Sequence, residues 1–201
     1  MTRVEDPSAS TSVNCAELLE LHNPDVRRHV VQFYRDEGLM IEGVSHFTAR
    51  ALEAGDSSVL VATTQHRRQI ERRLAASGLE VGALRSLGRC VSLDAEETLA
   101  RIMVNGRPDA EKFNETIGVT IREAEAKSRN HFVAAFGEMV ALLCAADQAP
   151  AAVELEQLWN ALLASSRFSL CCAYPLATFD CATGLDAALR ICDEHSLTLP
   201  A

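Results

Sequence analysis

The sequence predicts an α/β protein: a mostly parallel central sheet of five or more strands with helices on both faces, in three layers. Three observations predict it. Short, nearly continuous apolar runs such as Ser58-Val-Leu-Val-Ala-Thr63 suit strands buried on both faces, as in parallel sheets. Stretches with apolar residues at helical spacing separate these runs, which implies right-handed crossovers. Polar residues follow each run, at the edge where open α/β sheets bind ligands.

The elements follow in order. Residues 1–25 read as a flexible tail: Pro7-Ser-Ala-Ser-Thr-Ser12 is disorder-like in composition, Cys15 to Leu21 has room for one or two helical turns, and Asn23-Pro24-Asp25 breaks the chain. His29-Val-Val-Gln-Phe-Tyr34 is a first strand. Met40, Val44, Phe47 and Ala51 place a helix over 39–54, ending near Gly55. Ser58 to Thr63 is the second strand. Thr64 caps a helix over 65–77 that carries Ile70 and Leu74 inward and stops at Gly78. Residues 79–88 read as a loose connection, and Arg89 to Asp94 as a third strand. Asp94-Ala-Glu-Glu97 has capping-box spacing for a short helix reaching Met103.

Asn105-Gly-Arg-Pro108 is a turn, after which Asp109 begins a long helix with Phe113, Ile117, Ile121 and Ala124 on one side. His131 to Gly137 is a fourth strand, and Glu138-Met139 starts a helix through Ala146. Pro150 suits the first turn of a helix bearing Val153, Leu155, Leu158, Trp159 and Leu162. Ser169 to Tyr174 is a fifth strand ended by Pro175, and a last helix covers about 184–194. The expected organisation is one domain over 26–195 with a C-terminal tail at 196–201.

Composition narrows the function. The chain has 201 residues, 48% of them apolar and 23% charged, with a formal charge of −9. An acidic chain without a basic face argues against nucleic-acid binding. The arginines Arg67, Arg68, Arg72 and Arg73 fall on one helix and read as a solvated face. No apolar run approaches the roughly 20 residues that span a bilayer, and the polar start lacks a signal peptide's apolar core, so the expectation is a cytoplasmic protein away from membranes. The seven cysteines show no C-x-x-C pair and read as small buried residues. Cys171 and Cys172 are strand neighbours and point to opposite faces.

The turn after the first strand is the informative one. A phosphate loop needs several glycines, a lysine and a Ser/Thr. Arg35-Asp36-Glu37-Gly38 offers one glycine and two carboxylates, so there is no Walker A motif and a triphosphate would be repelled. The candidate ligand-binding residues are those at the strand ends: Tyr34, Arg35 and Asp36, then Thr63 and His66, then Asp94, Glu138 and Tyr174. Each has a plainer reading. Asp94 serves as a helix cap, Tyr174 as a packed residue before a proline, His66 as an exposed first-turn residue, and Glu138 as a helix N-terminal carboxylate. His29 and His131 precede their strands and read as structural. No G-x-S-x-G or H-E-x-x-H appears, so no catalytic residues or metal ligands are assigned. The cofactor is unknown: His and Cys leave haem or a metal ion open, with spacings that favour neither.

Several segments together carry a family resemblance. They are His29 with Phe33-Tyr34, Ala51-Leu-Glu-Ala-Gly55, Val59-Leu-Val-Ala-Thr63 with His66, Leu93-Asp-Ala-Glu-Glu-Thr-Leu99, Phe136-Gly-Glu-Met139, Leu158-Trp-Asn160 and Cys172-Ala-Tyr-Pro175. In order and spacing they resemble the MEDS domain, the sensory domain named for methanogens, methylotrophs and a dichloromethane-responsive regulator, over about 28–180. The resemblance implies a degenerate RecA/KaiC-like core and a non-catalytic small-molecule sensor in signal transduction, working with a histidine kinase or transcription regulator. This length leaves no room for a fused output module, so signalling would pass through a partner or a homodimer, with the tail and final helix as docking elements. Two alternatives stand beside it: a ligand-independent protein-interaction adaptor, and a residual nucleotide-binding NTPase with Asp94 or Glu138 holding magnesium.

Overall fold

The computed structural model describes residues 26–180 and 184–199. The expected tail at 1–25, with its helical turns at Cys15 to Leu21, lies outside them. Six strands form one parallel sheet: β1 (His29–Tyr34), β2 (Ser57–Ala62), β3 (Cys90–Asp94), β6 (Val133–Gly137), β7 (Phe168–Pro175) and β8 (Leu197–Leu199). Their order across the sheet is β3-β2-β6-β7-β1-β8, and every adjacent pair runs parallel. The strands from β2 inward are apolar on both faces because both faces are covered. Along β7, Cys171 joins one core and Cys172 the other, as the two-residue period of a strand requires.

The helices divide cleanly between the two layers. On one face lie α1 (Glu37–Glu53), α2 (Thr64–Ala76) and α3 (Val81–Ser86), packed on Val30, Leu60, Ala134, Phe136 and Cys171. On the other lie α4 (Ala95–Ile102), α5 (Ala110–Phe113) continuing through a π-helical segment (Asn114–Gly118) into α6 (Val119–Lys127), α7 (Met139–Ala145), α8 (Ala149–Ser165) and α9 (Gly184–Asp193). Trp159 of α8 is the bulkiest residue of this second core, with Phe113 edge-on at 5.2 Å and Phe168 at 6.1 Å.

Four local differences from the sequence reading have physical causes. The connection 79–88 contains helix α3; its two flanking glycines and short length hide the period. Thr63, not Thr64, caps α2, with its hydroxyl accepting from the His66 N–H at 3.4 Å. The turn at 105–108 closes a two-stranded hairpin of β4 (Met103–Val104) and β5 (Arg107–Pro108), because Asn105 and Gly106 both take positive φ, the geometry of a primed turn. Finally, the residues expected as a C-terminal tail supply β8, which pairs with β1.

The topology sets where a site can form. The helices after β1 and β2 go to one face, and those after β6 and β7 go to the other. Between the neighbours β2 and β6, and again between β7 and β1, the chain leaves in opposite directions and opens a crevice at the carboxyl edge.

Candidate functional site

Glu138 is the pivot of the β2/β6 crevice. It directly follows β6, and its N–H donates to Val61 O at 2.9 Å, which extends the strand ladder by one step and turns the side chain over the end of β2. The residue is 3% exposed. One oxygen accepts from Thr63 N at 2.8 Å, and the other contacts His66 Nδ1. The opposite ring nitrogen, Nε2, lies 3.3 Å from Glu37 Oε1 on the first turn of α1. Gln65 and Gln69 both donate to that same Glu37 oxygen at 3.0 Å. An imidazole between two carboxylates has an acceptor for each of its protons, which is the environment of an imidazolium.

The electrostatics agree. Burial alone would lower the His66 pKa, but the hydrogen bond and charge of Glu138, followed by those of Glu37, outweigh it and raise it. Hydrogen bonding from Gln69, with the charge of His66, holds Glu37 below its ordinary value. Tyr34, half-buried at the end of β1, is pushed up to about 12, first by burial and then by the charges of Glu138 and Glu37. The phenol therefore stays protonated near the carboxylates.

The raised His66 value fixes the sign of a pH effect. Its folded-state pKa exceeds the ordinary 6.5, so the stability it contributes is fully present below that pH and is lost as pH rises through the folded-state value. Denaturant midpoints measured across that window should fall on the alkaline side, and Glu138→Gln should flatten the fall.

The other sequence candidates divide. Asp36 caps α1: its Oδ1 accepts from Gly38 N at 2.7 Å and Leu39 N at 3.2 Å. These are the N–H groups that a phosphate would use at a helix N-terminus, so the chain's own carboxylate fills the anion site. Asp94 caps α4 with one oxygen, at 3.1 and 3.2 Å from the Glu96 and Glu97 amides. Its other oxygen accepts from the Thr64 hydroxyl at 2.6 Å and Arg67 at 3.2 Å, which ties the end of β3 to the start of α2. Arg35 is exposed. Tyr174 does not reach the crevice: it is fully buried against α8, where its hydroxyl donates to Glu156 Oε1 at 2.6 Å. The structure thus gathers Tyr34, Thr63, His66 and Glu138, with Asp94 alongside. It adds Glu37, which in the sequence alone is a turn carboxylate that repels phosphate. The signal for Glu37 is its place on the first helical turn beside an imidazole-bearing strand end.

Fold and site define an open parallel α/β domain with a hydrogen-bonded His–carboxylate cluster at its carboxyl edge in place of a phosphate loop. The chain belongs to the MEDS family, described as the methanogen/methylotroph, DcmR sensory domain, which matches residues 28–190. A search of curated proteins returned no match. Among the described residues no helix is long and apolar enough to cross a membrane.

Proposed function

We propose that the chain is a non-catalytic, cytoplasmic sensor that binds a small organic ligand at the β2/β6 crevice and reports through a signalling partner, such as a histidine kinase or a transcription regulator. One observation carries this reading: His66 is held between buried Glu138 and exposed Glu37 at the point where α1 and α2 begin. A ligand that brings hydrogen-bond donors or positive charge competes for Glu37 and loosens its hold on α2. Such a ligand shifts the protein between states only by binding them with different affinity. The acidic surroundings, and the Asp36 carboxylate on the α1 amides, favour neutral or cationic organics over phosphates.

A thermal-shift screen with small neutral and cationic organics, Mg-ATP and haem tests it. Stabilisation by members of the organic class is expected, with the shift reduced in Glu37→Gln; at 100 times Kd a ligand adds about 2.7 kcal/mol. A protein stabilised by none of the organics would contradict the reading.

The adaptor reading draws support from a different place. Leu185 and Leu189, one helical turn apart on α9, are 71% and 56% exposed. A partner that binds this face with no ligand present, and is lost in Leu185→Asp with Leu189→Asp, would favour it.

A further inference from the structure

A second group of chemically competent side chains lies on the α8 face and uses none of the crevice residues. His29 comes from the start of β1, Cys172 from β7, Glu156 from α8, and His195 from the segment after α9. One ligand atom from each lies within 4.8 Å of all the others. Three of them form a compact triangle: His29 Nε2 to Glu156 Oε2 is 3.2 Å, Glu156 Oε2 to Cys172 Sγ is 3.4 Å, and Cys172 Sγ to His29 Nε2 is 3.5 Å. Nitrogen, oxygen and sulfur ligands on a tetrahedral zinc, at about 2.0–2.3 Å from the metal, sit roughly 3.3–3.6 Å apart. His195 Nε2 closes the fourth corner, 3.4 Å from the other Glu156 oxygen. All four side chains are buried; those of His195 and Glu156 are 0% exposed.

The proton positions follow from the neighbours. Asn160 Nδ2 faces two groups that can only accept, Glu194 O at 2.9 Å and Glu194 Oε2 at 3.1 Å, so its amide oxygen faces His29 Nδ1 at 2.8 Å. His29 Nδ1 therefore carries a proton. His195 Nδ1 likewise donates to the Ile191 carbonyl at 2.6 Å. In their neutral forms both rings then turn bare Nε2 lone pairs toward a carboxylate and a sulfur, and His195 Nε2 is buried with no hydrogen-bond partner. Four electron-rich atoms converging in a dry interior need either protons or a metal ion between them, and without a metal the Cys172 thiol proton, directed at Glu156 Oε2, is one of these. Protonating both rings would place two imidazoliums with centroids 4.0 Å apart around one carboxylate, leaving a net buried positive charge. A divalent ion with the Glu156 carboxylate and a Cys172 thiolate sums to zero with both imidazoles neutral. Binding then releases the Cys172 thiol proton to solvent.

We propose that His29, Glu156, Cys172 and His195 form a closed structural site for a zinc-class divalent cation. Mixed nitrogen, oxygen and sulfur ligands in a four-fold set suit zinc, and no ligand position is left for a substrate. The Nδ1–H bonds to Asn160 and to the Ile191 carbonyl are the outer contacts that orient metal-binding imidazoles. The ion would clamp the segment after α9 to β1, β7 and α8, beside the bond from Ser196 N to His29 O at 2.8 Å.

The test uses the full chain purified from zinc-supplemented culture. Elemental analysis should find about one zinc per chain. After chelation, titration with cobalt(II) should give the visible bands of a tetrahedral ion and a near-ultraviolet thiolate charge-transfer band. That band should disappear in Cys172→Ser and persist in Cys90→Ser, which alters a buried thiol on the opposite face. Asn160→Ala keeps every ligand and should weaken metal affinity by about 10–100-fold. It serves as the second variant if Cys172→Ser does not fold. A folded wild-type protein that carries no zinc and shows no thiolate charge-transfer band with cobalt would overturn the proposal. So would a band that survives Cys172→Ser, or an affinity unmoved by Asn160→Ala.

Discussion

Glu156→Ala should be the most damaging single substitution in the molecule, costing about 3–5 kcal/mol of stability and shifting the denaturant midpoint accordingly. The residue is fully buried in the middle of α8 and receives the Tyr174 hydroxyl at 2.6 Å, with both imidazoles close by. Without a metal ion, burial alone would raise its carboxyl, but His195 and then His29 outweigh it and hold the group well below the usual carboxylate range. Removing the carboxylate leaves the Tyr174 hydroxyl and the Cys172 thiol in a dry core without their acceptor, takes away the negative charge beside His29 and His195, and opens a void in the core. Tyr174→Phe separates the parts. It takes away one hydrogen bond to a charged group and should cost about 1.5–3 kcal/mol while leaving the carboxylate in place beside His29, His195 and Cys172. Equal losses in the two variants would mean that the carboxylate matters only through the tyrosine.

Glu138→Ala should cost less than Glu156→Ala, at the low end of the same range, about 3 kcal/mol, and should also abolish any ligand-induced thermal shift. It strands the Thr63 amide and removes the buried partner of His66. The loss is limited because His66 can shed its proton and keep one contact to Glu37, and because the crevice edge admits water. Glu138→Gln refines the point. Its amide oxygen still accepts from Thr63 N, but its NH2 must face His66 Nδ1, which then has to be unprotonated. Stability should largely survive while the His66 pKa falls. If Glu138→Ala kept full stability and full ligand response, the crevice would be a surface feature without function.

Much of this was legible in the sequence. The strands announced themselves as apolar runs, and the polar residues after them marked the edge where Thr63, His66 and Glu138 meet. What the runs do not encode is pairing order. That β6 lies beside β2, and so brings Glu138 onto the Thr63 amide, follows from crossovers whose reach no local pattern reports. In the turn sequence Glu37 is a charge that repels phosphate, and nothing local reports the imidazole that pairs with it. Strand β8 has three residues, too short for a period to register.

The α8-face cluster leaves the faintest trace in the sequence. His29, Glu156, Cys172 and His195 come from four elements far apart in sequence, so no ligand spacing exists to find. Its one local trace is Glu156 itself, an acid set in the inward stripe of a helix between Ala152 and Trp159. A carboxylate in that position requires buried partners. The same reasoning explains Tyr174, which the sequence placed at the ligand edge and the fold turns toward Glu156.

Hydrogen exchange of the full chain, with and without the small organic compound that stabilises it most, tests the sensing crevice most directly. The expected result is new protection at the amides around Thr63 to Arg67 and Gly137 to Met139, and none there with Mg-ATP. Protection of those amides by Mg-ATP, or stabilising organics that leave them unchanged, would contradict it.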